Sequence, residues 1–258
     1  MASNDDRPPA AGVAEIAARM QRRLDALPSE LAHRQIFLGT YLRTTKAVGD
    51  AIDRASFEDP DWVDDWDVKF AELYLDAHDA DLAGDAAAVA RPWRLAFDAA
   101  PELPPLIHVL LGINAHVNYD LPQALLAVIS DEDFADPVLM DRRRRDHERI
   151  DGVLASRVGA EDGQLSASSV KTLLDHALTP LNRLSSRRFL RESRQKVWHN
   201  TIELQRARAE GPEPYSARLA ELELLSAAKI ADLLRPGQVL LRLAVAGFGV
   251  TLPPPPVS

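Results

Sequence analysis

Three histidines in this chain stand four residues before a carboxylate: His116 before Asp120, His147 before Asp151, and His199 before Glu203. Four residues is slightly more than one helical turn, so on a helix the two side chains of each pair point the same way. That arrangement offers two ligands to one metal ion, or an imidazole and the carboxylate that orients it. The neighbours separate the three. His116 shares its face with Val109, Gly112, Ile113, Gln123 and Ala127, a small, apolar surface that another helix can approach closely. His147 and Asp151 interrupt an apolar stripe of Met140, Ile150, Leu154 and Val158 in a heavily charged stretch. His199 lies among Glu192, Gln195, Lys196 and Arg206, so its pair with Glu203 is expected to be solvated. Trp198 beside it is expected in the core.

The helix expected over residues 60–83 adds Asp67, Tyr74 and His78 along one edge of its apolar face, beside Trp66 and Phe70. If the three helices pack together, His116, Asp120, His147 and Asp151, with Asp67 and His78, form a candidate site for zinc or another borderline divalent ion. Asp120 and His147 are also the candidate catalytic groups. Tyr119, Asn118 or an arginine such as Arg144 would then stabilise developing negative charge. A buried network of hydrogen bonds with no chemistry is the competing expectation.

The elements that must position these residues read as helices throughout. Val13, Ile16, Ala17, Met20, Leu24 and Leu27 recur at helical spacing over residues 11–27, and Pro28 ends the run. A second helix is expected from Ser29, as its cap, towards Ile52. Asp59-Pro60, Asp136-Pro137 and Thr179-Pro180 are start signals, because a capping oxygen accepts from free amides and proline suits a first turn. They place helices over residues 60–83, 137–158 and 180–210, with Gly84 as a stop. Residues 85–105 read as a connector and 159–169 as a loop. Further helices are expected over 105–130, 170–177 and 215–234, and a buried final helix over 239–250. Pro122 falls inside the 105–130 helix and should kink it by clashing with the carbonyl of Asn118. Asn114 and Asn118 lie on the side away from His116 and should serve packing or that kink. With no sustained alternation of apolar and polar residues, the expected fold is all-α, a single-domain bundle of about seven to nine helices. Residues 1–10 are expected to be a disordered tail, 11–250 the helical domain and 251–258 a mobile proline-rich tail.

Composition narrows the function classes. The formal net charge is −9, which argues against a general nucleic-acid binder. The chain has no cysteine, so disulfides, thiolate ligands and cysteine nucleophiles are excluded. No signal peptide is apparent at the N-terminus, and no apolar run reaches the roughly 18 residues of a spanning helix. The expected location is the cytoplasm, and the expected partner is a small molecule.

Two resemblances rest on particular residues. Phe37-Leu-Gly-Thr-Tyr-Leu-Arg-Thr-Thr45, Leu111-Gly-Ile-Asn-Ala-His-Val-Asn-Tyr-Asp-Leu-Pro122 and Arg145-Asp-His-Glu-Arg-Ile-Asp151 resemble an uncharacterised, actinobacterial-type domain-of-unknown-function family, over roughly residues 15–250. That resemblance implies an all-helical protein without an assigned activity. Separately, His116-x-x-x-Asp120-Leu-x-Gln123-Ala-Leu is similar to a segment of the zinc-dependent phospholipase C and P1-type nucleases, all-α enzymes in which zinc ions activate water against a phosphodiester. His147 and Asp151 would correspond to that family's second pair, and Asp67 and His78 to its earlier ligands. The family's further histidine and its zinc-binding N-terminal tryptophan are missing here, so the resemblance implies one or two ions rather than three.

The functional expectation is a metal-dependent hydrolase, of a phosphate ester by this resemblance, in which the metal activates water. The alternative is a non-enzymatic helical scaffold or ligand-binding protein whose His–Asp pairs are structural. A metal-free hydrolase built on a His–Asp dyad ranks last, since no Gly-x-Ser-x-Gly nucleophile elbow is present.

Overall fold

In the computed structural model, residues 10–161, 180–237, 239, 242–243 and 247–254 are described, with the side chains of 154–161 and 180–190 left aside. Helix α1 (Ala11–Ala26) buries Val13, Ile16, Ala17 and Met20, the i, i+3, i+4, i+7 stripe of an amphipathic helix. A 3-10 turn (Ser29–Leu31) intervenes before α2 (Arg34–Asp53), so Ser29 opens that turn and not the helix. In α3 (Pro60–Leu82), the Asp59 side chain accepts from the Trp62 amide at 3.2 Å, as its start signal requires. The expected connector contains a short helix, α4 (Arg91–Phe97).

Next come α5 (Pro105–Ala115), a π-helical turn (His116–Asp120) and α6 (Leu121–Val128), which run on as one rod. The short α7 (Asp131–Ala135) leads to α8 (Pro137–Glu161), followed by α9 (Pro180–Glu210) and α10 (Pro212–Leu234). The helix expected over 170–177 falls outside the described residues. No strand occurs among the described residues, and the fold is all-α. The expected final helix stops short: Gly247 turns the chain with a left-handed φ of 72°, and residues 249–254 run on without helix against α9 and α10. Leu252 is 1% exposed, so this part of the tail is packed.

The rod from Pro105 to Val128 is the hub, because it packs against α2, α3, α4, α9 and α10. One apolar cluster joins residues from Ala10 to Leu243, and its largest buried side chains include Trp66, Tyr74 and Trp93. Two buried aspartates tie distant segments together. Asp64 accepts from the amides of Gly12 and Val13 at 3.1 and 2.8 Å, meeting free donors in the first turn of α1. Asp146 does the same for Glu58 and Asp59 at 2.8 and 2.7 Å, fixing α8 to the start of α3.

Candidate functional site

Of the three histidines four residues before a carboxylate, the one on the π turn bonds to its partner. His116 Nδ1 and Asp120 Oδ2 are 2.8 Å apart, and both side chains are 3% exposed. The Leu121 amide donates to the His116 carbonyl, five residues back, in place of the usual four. Pro122 therefore sits as the second residue of α6, where it needs no amide partner. The expected proline kink is thus realised as an extra residue in one turn, and that turn presents His116 and Asp120. Asn118 donates to Asn114 Oδ1 at 3.1 Å and Asn114 to the Leu110 carbonyl at 2.7 Å, a ladder along the rod.

Aromatic rings enclose the imidazole. Phe70 of α3 stacks on it at 3.5 Å between centroids with the planes 5° apart, and Tyr41 of α2 meets it edge-on at 4.4 Å. Trp93 Nε1 donates to Asp120 Oδ2 at 2.8 Å, so the carboxylate holds α4 as well as the imidazole. Gly112 makes this enclosure possible. A Cβ there would lie 2.3 Å from Phe37 Cδ2, and the Phe37 ring packs against Trp93 and Tyr74.

Burial governs the charges. It holds His116 well below the ordinary histidine pKa and pushes Asp120 well above the ordinary carboxylate range, although Trp93 opposes the second shift. Burial thus disfavours charge on both partners of the pair. Indole Nε1 is only a donor, so its bond to Oδ2 favours that oxygen as the acceptor from His116 Nδ1–H. The Nε2 atom is then a lone-pair acceptor, and it is buried without a hydrogen-bond partner.

The other candidates are strung along α3. His147, 0% exposed, packs between the rings of Trp66 at 6.3 Å and Trp198 at 5.7 Å, and neither ring nitrogen has a partner. Asp151 turns away from it and accepts from Arg194 Nε of α9 at 3.0 Å. Asp67 is buried with Oδ2 unpartnered; burial, and then Asp64, raise its pKa to about 7. His78 lies against Tyr74, Phe97 and Asp79. Eleven residues at 1.5 Å per residue separate Asp67 from His78 by about 16 Å along the helix, too far to share an ion.

Tyr119 belongs to a second apolar cluster with Leu126, Leu204, Leu222 and Leu252. Arg144 pairs at the surface with Asp141 and Glu148, at 2.6 and 3.2 Å, instead of facing His147. The six expected ligands are thus spread along the core, with the rings of Trp66 and Phe70 between His147 and His116. Among the described residues no group of three or more His, Asp or Glu side chains could hold a metal ion. The third pair also differs from expectation. His199 is exposed, but Glu203 is 4% exposed and paired with Arg206 and Arg218.

Several groups at this centre carry no sequence signal. Tyr41 and Thr45 are neighbours, yet neither hydroxyl meets a partner in good geometry. Trp66 Nε1, Ser193 Oγ and Arg194 Nη1 are also buried and unpartnered. Trp93 and Arg194 come from distant helices, and no spacing rule connects them to His116 or Asp151. A cleft outside the aromatic wall, between Arg34, His33, His108 and Phe97, encloses about 20 Å³. That volume is room for about one water.

The family of unknown function DUF5995 matches residues 13–236. The chain belongs to this family. The DUF5995 match spans α1 to α10 and includes every candidate residue above. No curated protein and no solved structure matches the chain. Among the described residues, no helix is long and apolar enough to cross a membrane.

Proposed function

We propose that this protein binds a small polar molecule in its interior, where the rod meets α2, α3 and α9, and that the His116–Asp120 pair acts on it as an oriented, uncharged base. The observation that carries this reading is His116 Nε2, buried without a partner while Nδ1 is committed to Asp120. Each buried polar atom left unpaired costs about 1–3 kcal/mol. Tyr41, whose ring meets the imidazole at 4.4 Å, and Asp67 of α3 also bury oxygens without a partner. A domain with about 5–15 kcal/mol of net stability cannot leave many such atoms empty, so water or a ligand satisfies them.

The test is a high-resolution structure and native mass spectrometry of the full-length protein, with His116→Ala alongside. A non-water molecule within hydrogen-bond distance of Nε2, lost in the variant, supports the proposal. An interior holding water alone, with His116→Ala changing only stability, leaves the scaffold alternative standing.

A metal-dependent phosphate-ester hydrolase is the second reading, and it rests on the same atom. An imidazole fixed through Nδ1 by a carboxylate is how proteins orient a metal-binding nitrogen. Its further ligands are not gathered among the described residues. Metal analysis of protein purified without a histidine tag decides it: stoichiometric metal that disappears in His116→Ala supports this reading, and no metal removes it.

A further inference from the structure

The segment over 249–254 is held in an unusual way. Its main chain is bonded by side chains of the helices it crosses. Asn200 of α9, 1% exposed, donates from Nδ2 to the Val250 carbonyl at 3.1 Å and accepts from the Leu252 amide at Oδ1 at 2.9 Å. One carboxamide thus satisfies both polar groups that a neighbouring strand would satisfy, and it accepts only an extended backbone. Lys196 Nζ donates to the Gly249 carbonyl at 3.2 Å, and His199 Nε2 lies 3.1 Å from the Leu252 carbonyl. Arg218 of α10, itself paired with the buried Glu203, donates to the Pro253 carbonyl. None of these bonds reads a side chain.

Two features do select sequence. Leu252 fills a pocket formed with Leu126, Leu204 and Leu222. Gly249 passes so close to α9 that a Cβ would lie 2.8 Å from Lys196 Cδ and 3.4 Å from Ser193 Cα. Thr251, between the two Asn200 bonds, is exposed and unconstrained.

We propose that the groove between α9 and α10 is a peptide-binding site for an extended Gly-Val-x-Leu-Pro segment, with Asn200 reading the backbone and the Leu252 pocket the anchor, and that the chain's own tail is its resident ligand. This inference is independent of the interior ligand proposed above.

A labelled peptide of residues 247–254 is titrated into full-length protein carrying Leu252→Asp, which displaces the resident tail without shortening the chain. Saturable binding is expected, weaker by about tenfold or more when Asn200→Ala is added, since two hydrogen bonds are lost. The same peptide carrying Leu252→Asp should not bind. A folded Leu252→Asp protein that fails to bind the wild-type peptide, or binds it equally well with Asn200→Ala, overturns the proposal. Should Leu252→Asp fail to fold, hydrogen exchange of the Leu252 amide is compared between the wild-type full chain and Asn200→Ala. Exchange faster by about tenfold or more in the variant supports the clamp, and unchanged exchange refutes it.

Discussion

His116–Asp120 and His147–Asp151 have the same spacing and similar burial of the histidine, yet only the first pair, set in a π turn and not an α-helix, bonds to itself. At the first, the π turn and Gly112 bring α2 and α3 close, and Trp93 delivers a second hydrogen bond to the carboxylate. At the second, Arg194 on α9 takes Asp151, and two tryptophan rings take the imidazole. Spacing on a helix therefore sets only which side chains can meet. The neighbouring helix, by offering a stronger or weaker competitor, sets whether they do. An arginine is such a competitor, because a charge-assisted bond is roughly twice as strong as a neutral one.

Asp67 lies on α3 between these two places and gives the largest expected effect. Its folded pKa of about 7 lies above the unfolded value, so the native state holds the extra proton between about pH 4 and 7. Stability should fall as pH rises through that window, and the penalty is fully present above it. Asp67→Asn should remove the slope and stabilise the protein at pH 8 by on the order of 4 kcal/mol. Denaturant titrations at pH 4, 6 and 8 measure this; an unchanged slope in the variant would mean that a group other than Asp67 carries it.

Asp120→Ala should cost about 2–5 kcal/mol, because it orphans both Trp93 Nε1 and His116 Nδ1 in a buried site. A loss under about 1 kcal/mol would mean that the two donors are already hydrated, which removes the contrast with the second pair. His147→Leu is expected to fall within about 1 kcal/mol of wild type or to stabilise, since an apolar side chain of similar size replaces two unpaired ring nitrogens. A large loss there, measured by the same unfolding assay, would show that His147 holds a bound group. His199→Ala should change stability by less than about 0.5 kcal/mol, as expected of an exposed side chain with one bond to the tail.

The helices were largely legible in advance because capping chemistry and apolar periodicity are local. Asp59-Pro60 and Asp136-Pro137 each stand at the start of a helix, while Thr179 lies outside the described residues and α9 is described from Pro180. The misreadings have local causes too. Residues 247–250 are apolar enough for a buried helix, but Asn200, Lys196 and Arg218 bond their backbone or that of their neighbours in an extended form, and that competition is invisible along the chain. Glu203 was expected in solvent because its neighbours are charged. It is buried because Arg218 arrives from α10 and the tail covers them both.

At the candidate site, His116, Asp120 and the disturbance at Pro122 could be named from the residues alone. A histidine one turn from an aspartate on a small-residue face must be buried together with it wherever another helix packs closely. The gathering of six ligands could not be judged that way. It depends on which rings of α3 lie between the histidines, on how far apart Asp67 and His78 fall along that helix, and on where Arg194 reaches. By itself the sequence determined the all-helical architecture, the starts at Pro60 and Pro137 and the pairing of His116 with Asp120, since these follow from backbone capping, periodicity and a single helical turn. Only the tertiary structure decided that His147 and Asp151 part company, that Trp93 completes the first pair and that the tail is clamped, because each depends on partners brought together from helices distant in the chain.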